Sequence, residues 1–387
     1  MLCQLDFGHT RVHSSMVMSI QKTHILIIAP IFYGSGTGSA VYYQLLVREL
    51  EKYGFKCSVI SEKATEEQSP LMSGQFYPLF PRRTGKRKRF WQDIGVYALQ
   101  NLSYRHLESI INEAQPNIVL VHSSFYALPG LFGYFMSSIM RDKRLSIDFI
   151  LDVRDVLFSL DKVILFRKHN AIIACSKNVK KKLISGGLPK HKINLIPVIQ
   201  EHISVSQVTI NEMLETHGLQ GKEFIFYAGL IKEIKAVDVL LDAFINYVYP
   251  KQPDVYLVMS GYLKTSSSSI LLALNAPNVY YLGNLPRSST LALMAGANLC
   301  VNLSPNESIS RFSLEALALS RPVLLPPNVP EFEKHCPDFV VHGRNSADIA
   351  AQIIAAYQHP HVPDYPIAQH APQQVVQQYI EIFEGVS

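Results

Sequence analysis

Cysteine is scarce and scattered: five residues in 387, at Cys3, Cys57, Cys175, Cys300 and Cys336. The closest two are 36 apart, so there is no CxxC, no zinc-ligand spacing and no disulfide framework. An odd, dispersed set reads as reduced, buried thiols of a cytosolic protein. No apolar run reaches the ~18–20 residues needed to span a bilayer; Ile25–Tyr33 and Ala127–Met140 are short or broken by Ser, Gly and Pro. Charge is low at 17%, against 48% hydrophobic residues with 20 Gly and 22 Pro, which excludes disordered, collagen-like and coiled-coil chains. The first 20 residues lack a continuous apolar segment, so they read as an unstructured leader or a start placed upstream of the true one, not as a signal peptide.

Positive charge is not general either. The net charge is +5, and residues 82–89 (RRTGKRKR) hold six cations and no acid, leaving −1 on the rest of the chain. The basicity is one local feature, which argues against nucleic acid as a partner. It ends in Phe90 and Trp91, the only tryptophan. Cations beside aromatics suit peripheral contact with an anionic membrane through 82–91; a solvated loop is the plainer alternative.

At roughly 100–200 residues per domain, the length predicts two domains. Short Ile/Val/Leu runs alternate with amphipathic helical stretches. Strands are expected at 24–33, 57–61, 117–122, 147–153, 171–175 and 193–198, then at 224–229, 255–261, 279–283, 299–304 and 322–326, with a helix over 39–54 after the first. Continuous apolar runs mean strands buried on both faces, and alternation with helices means parallel sheets. The polar stretch 200–221 reads as a linker. The expected division is a leader at 1–21, one α/β domain at 22–205, a second at 206–371, and a last helix within 372–387. In such sheets ligands bind at the carboxyl ends of strands, and with two domains the cleft between them is the natural site.

The most informative stretch is SPNESISRFSLEALALSRPVLLP at 304–326. Glu307 follows a strand, and Glu315 lies eight residues on, inside an expected helix of about 310–320. Ser308, Ile309 and Ser310 would offer backbone N–H groups to an anion at that helix's N-terminus. By spacing alone, two solvated acids on a surface helix remain the simpler alternative. The loop Gly34-Ser35-Gly36-Thr37-Gly38 opens the first helix and allows close approach of a ligand, or is only a tight turn. Read alone it is also a loose dinucleotide fingerprint.

The pattern E-x7-E followed by A-L-A-x-x-x-P-V resembles the nucleotide-sugar motif of retaining glycosyltransferases of family 4, which have the GT-B fold. IAPIFYGSGTGSAVYYQLLVRELEKYGFKCSVIS, IIACSKNVKKKLISGGLPKHKINLIP, FIFYAGLIKEIKAVDVLLDAF, VYLVMSG, NVYYLGNLP and LMAGANLCVNLSP are similar to its other segments, in the same order, over about 23–385. The resemblance implies an α/β, GT-B protein: two doubly wound Rossmann-like domains facing across a cleft, the second binding donor and the first acceptor, with the last helix crossing back to the first. It implies transfer of a sugar from a nucleotide-diphosphate sugar to a glycan, lipid-linked or small-molecule acceptor with retention, in polysaccharide or glycolipid biosynthesis, without metal or cofactor. No D-x-D, the metal–diphosphate motif of the other glycosyltransferase fold, occurs.

By position in those motifs, the resemblance implies catalytic roles for His122, Lys235 and Glu307. It implies donor contacts for Gly36, Gly38, Ser308, Ile309, Ser310, Arg311 and Glu315, Lys235 holding the diphosphate and Glu315 the ribose diol. Departures are Leu230 where the family has arginine, Ser308 and Ser310 for glycines, Val198-Ile199 for Asn-Gly, and Ala236 for glycine. Lys232 or Arg311 could supply the missing cation. Arg154 and Asp155, after the strand at 147–153, could also face the cleft. The expected location is cytoplasmic, peripheral to the plasma membrane through 82–91. The alternatives are an inactive nucleotide-sugar-binding relative, a GT-B sugar-nucleotide epimerase, and an NAD-dependent oxidoreductase.

Overall fold

The computed structural model describes residues 23–29, 32, 38–62, 73–80, 106–127, 132–142, 144–155, 163–343 and 345–386. Gly36, the leader and the 82–91 segment fall outside them. Among the described residues no helix is long and apolar enough to cross a membrane.

The apolar runs form two parallel sheets. The first holds β1 (His24–Ile28), β2 (Lys56–Glu62), β3 (Phe76–Phe80), β4 (Ile118–His122), β5 (Asp148–Val153), β6 (Ala171–Ala174) and β7 (Ile193–Leu195), in the order β3-β2-β1-β4-β5-β6-β7. The second holds β8 (Glu223–Ala228), β9 (Val255–Ser260), β10 (Val279–Tyr281), β11 (Leu299–Val301) and β12 (Val323–Leu324), in the order β10-β9-β8-β11-β12. Both are doubly wound: order reverses at β1/β4 and at β8/β11, opening a crevice at the carboxyl ends of those strands. β1 and β4 are buried along their whole length because helices cover both faces of the sheet.

Helix Gly38–Lys52 buries Ala40, Tyr43, Val47 and Leu50, one stripe at helical spacing, against β1 and β2. It ends short of Gly54, whose φ of +86° suits glycine. Helix Pro372–Val386 lies beside it and sinks Val375, Val376, Tyr379, Ile380 and Phe383 into the same core, so the chain's last helix belongs to the first sheet's packing.

Two elements depart from the sequence reading. β3 was not expected: FYPLF contains Pro78, but an edge strand tolerates the missing donor. The stretch read as linker holds helix Gln207–Thr216, whose N-cap Ser206 accepts a hydrogen bond from the Thr209 amide at 3.1 Å.

Candidate functional site

The carboxyl ends of β8 and β9 are drawn together by glycine. Gly261, at φ +139°, lies so close to Gly229 that a Cβ there would sit 1.7 Å from the Gly229 carbonyl oxygen. Gly229 donates its amide to the Ser260 carbonyl at 2.9 Å, and Gly261 to that of Gly283 at 2.8 Å. Above this floor opens a cavity of about 700 Å3. Gly38 and Val41 of the first sheet's helix form one wall; Tyr262, Leu285, Arg287, Arg311, Phe312 and Glu315 form much of the rest. The walls approach closely at Gly38, where a Cβ would lie 3.7 Å from Arg311 Nε.

Glu315 sits in helix Arg311–Ala318 and is buried. Its Oε1 accepts from Arg287 twice, from Nε at 3.1 Å and Nη2 at 2.9 Å. Arg287 Nη1 donates to Glu201 Oε1 at 3.0 Å, and the other oxygen of Glu201 meets Arg48 of the first sheet's helix at 3.3 Å. Arg311 is half-buried beside these charges; desolvation lowers its pKa, which the carboxylate of Glu315 opposes. Its Nη1 has no hydrogen-bond partner among the described residues. A half-buried cation on a cavity wall favours an anionic ligand.

The loop carrying Glu307 is tied at its base. Buried Asn302 accepts from the Ser304 amide at 3.0 Å and donates to Ser310 Oγ at 2.6 Å. Ser310 Oγ in turn accepts from the Ser313 amide at 3.1 Å, an N-cap. The amides of Ser308, Ile309 and Ser310, leading into that capped turn, donate to nothing among the described residues. Glu307 Oε1 accepts from Lys235 Nζ at 2.7 Å, with both side chains partly exposed. Lys235 leads into Ala236, held at φ +53°, a left-handed conformation that disfavours a side chain. Ser308 Oγ crosses between the domains to the Arg154 carbonyl at 2.9 Å.

His122 ends β4 and is buried. Its Nδ1 accepts the Ser124 amide at 3.1 Å and lies 2.8 Å from Ser124 Oγ. A ring nitrogen that accepts from an amide carries no proton, so the neutral ring holds its proton on Nε2. Burial depresses its pKa, against the pull of Asp152 and Asp155. Arg154 turns away into a buried network: its Nε is 2.7 Å from Asp152 Oδ1, off the line of a hydrogen bond, and its Nη2 donates to Tyr42 and Tyr379. Tyr43 donates to Asp152 Oδ2 at 2.8 Å. This network fastens the last helix to β5.

The expected residues therefore fall into three groups. Gly38, Arg311 and Glu315 line the cavity. Lys235 and Glu307 pair with each other outside its lining, and His122 stands at the end of a first-sheet strand. Ser310 is committed to capping, and Ile309 is packed in the second sheet's core. Leu230 lines the cavity and Lys232 is exposed. Sequence reasoning missed Arg287, Glu201 and Asn302. Arg287 carried one signal: it opens helix Arg287–Gly296 with no acid in the first turn, where a cation opposes the dipole.

Residues 221–359 match the family described as Glycosyl transferases group 1. No curated protein matches the chain. Among solved structures, it is similar to Anabaena HepE in complex with UDP and glucose, at 14% identity and a TM-score of 0.66, over 94% of this chain and 99% of that one. It is similar to sucrose-phosphate synthase from Thermosynechococcus elongatus, at 13% identity and a TM-score of 0.66, over 94% and 96%. It is also similar to the N-terminal domain of Candida albicans trehalose-6-phosphate phosphatase, at 12% identity and a TM-score of 0.71, over 99% of both. The chain has the GT-B fold, two Rossmann-like domains facing across a cleft.

Proposed function

We propose that the protein is a glycosyltransferase that moves a sugar from a nucleotide-diphosphate sugar to an acceptor with retention at the anomeric carbon. The observation that carries this is the cavity between the two sheets, with a buried carboxylate, Glu315, and a half-buried cation, Arg311, on its wall. A carboxylate suits the ribose diol, and a guanidinium suits the diphosphate. Arg311 supplies the charge that Leu230 cannot. The group 1 match over 221–359 and the UDP and glucose bound by the HepE neighbour point the same way.

In this reading the second domain binds the donor. Lys235 and the amides of Ser308 and Ile309 stabilise charge growing on the leaving diphosphate. Glu307 holds Lys235 in place and offers its second oxygen to a sugar hydroxyl. Neutral His122 donates from Nε2 to the sugar or acceptor. The first domain binds a glycan, lipid-linked or small-molecule acceptor, and the basic segment 82–91 brings the enzyme to an anionic membrane where polysaccharide or glycolipid is built.

The test is incubation with a panel of nucleotide sugars, UDP-glucose first, following free nucleotide diphosphate and the anomeric configuration of the product. Release of nucleotide diphosphate with an α-linked product from an α-linked donor is expected. An epimerised donor would make the protein an isomerase. Binding without turnover of any donor would make it an inactive relative, and binding of NADH alone an oxidoreductase.

A further inference from the structure

Arg287 is placed where local physics disfavours it. It is the first residue of helix Arg287–Gly296, beside amide dipoles that repel a cation. Two carboxylates offset this. Nη1 goes to Glu201, while Nε and Nη2 both go to one oxygen of Glu315. The three side chains come from separate places: the segment joining the domains, the start of one helix and the middle of another. The doubled grip on Oε1 leaves Glu315 Oε2 without a hydrogen bond among the described residues, on a side chain that lines the cavity.

We propose that Arg287 is a positioning residue for the donor ribose: it fixes Oε1 of Glu315 so that Oε2 meets the diol, and Glu201 fixes Arg287. The inference rests on the reading of Glu315 as the ribose carboxylate. A guanidinium suits this role because its fork reaches two carboxylates at once in one plane. An unpaired Glu315, nearly excluded from water, would sample other rotamers and lose the orientation that a diol requires. Because Glu201 lies on the interdomain segment and also meets Arg48, the ribose subsite is tied to the joint between the domains, though the Arg48 contact is half exposed and weak.

The experiment titrates full-length protein with UDP, GDP and ADP, then compares the tightest with its 2′,3′-dideoxy form. Wild type is expected to prefer the ribose form by ~10-fold or more. Arg287→Gln should lose that preference, weakening the ribose form ~10-fold while leaving the dideoxy form nearly unchanged. Arg287→Lys should restore part of it, and Glu201→Gln should weaken it ~3-fold, an effect that disappears in the Arg287→Gln background. A thermal melt of each variant separates loss of the subsite from loss of the fold. Tighter binding by Arg287→Gln would show that the guanidinium competes with the ribose, and equal weakening of both nucleotide forms would show a merely structural role; either overturns the inference. If wild type binds none of the three nucleotides, the donor reading falls and takes the inference with it. If wild type binds and Arg287→Gln keeps the diol preference, the inference alone falls.

Discussion

Replacing Lys235 by alanine separates a catalytic role from a structural one. Lys235 Nζ and Glu307 Oε1 are 2.7 Å apart, with the side chains 29% and 17% exposed. A pair that open to water contributes at most about 1 kcal/mol to folding. Lys235 also belongs to a short 3-10 turn, Glu233–Lys235, that anchors no core side chain. The fold should therefore survive, with a melting temperature within a few degrees of wild type. Turnover should not. If the ammonium faces a leaving diphosphate whose charge grows in the transition state, losing it costs ~3–4 kcal/mol, or roughly 10²–10³-fold in kcat. Affinity for free nucleotide diphosphate should fall less than kcat, because the ground state carries less of that charge. A coupled assay for released nucleotide diphosphate, run beside a thermal melt and a binding titration, reads all three quantities. Wild-type kcat in Lys235→Ala would remove this residue from the chemistry. Weaker donor binding with kcat unchanged would assign it to uniform donor binding instead.

Other expectations rest on separate features. Glu315→Ala should weaken nucleotide diphosphate binding ~10- to 100-fold through the lost hydroxyl contacts; unchanged affinity in calorimetry would take Glu315 out of the site. His169 and His370 are buried and neutral, burial pushing each pKa down to about 4 from 6.5. The unfolded chain takes up protons below pH 6.5 that the native state refuses. Their stabilisation is thus complete above that pH and fades as pH falls toward 4, by roughly 2 kcal/mol each at pH 5; urea unfolding that is flat between pH 7 and 5 would contradict this. Ala236→Gly relieves a left-handed alanine costing ~1–2 kcal/mol against a smaller gain in chain entropy, so stability should hold or rise by up to about 1 kcal/mol, and a fall in urea midpoint would oppose it. Changing Arg87, Lys88 and Arg89 to Glu should abolish salt-sensitive sedimentation with anionic vesicles while sparing activity on a soluble acceptor; wild type that fails to sediment even at low salt would leave the solvated-loop reading.

What the sequence exposes and what it hides follow from the range of the interactions. Strands buried on both faces write themselves as runs such as HILII and IVLVH, because every side chain must be apolar. Helix Gln207–Thr216 leaves no such trace. None of its residues is fully buried, so it has no clear apolar stripe. It is held by a close approach that only the fold reveals: a Cβ on Gly296 would lie 3.3 Å from Ile210 and Leu214. β3 is obscured by Pro78, which a central strand would exclude and an edge permits.

The site divides along the same line. Glu307, Lys235 and Glu315 stand out through ordered motifs within short stretches, each still answering to the resemblance rather than to spacing. Arg287 and Glu201 form no motif, being 86 residues apart and meeting only when the domains are joined. The position where the resembled family carries a cation holds Leu230, and the sequence alone left the replacement open between Lys232 and Arg311. Lys232 faces solvent, while Arg311 is half-buried on the cavity wall, its Nη1 without a partner among the described residues. A cation in water gains little by meeting a phosphate, since water already satisfies it, whereas one already stripped of water gains much. The half-buried place of Arg311 on the cavity wall is therefore the arrangement expected if a diphosphate is its partner.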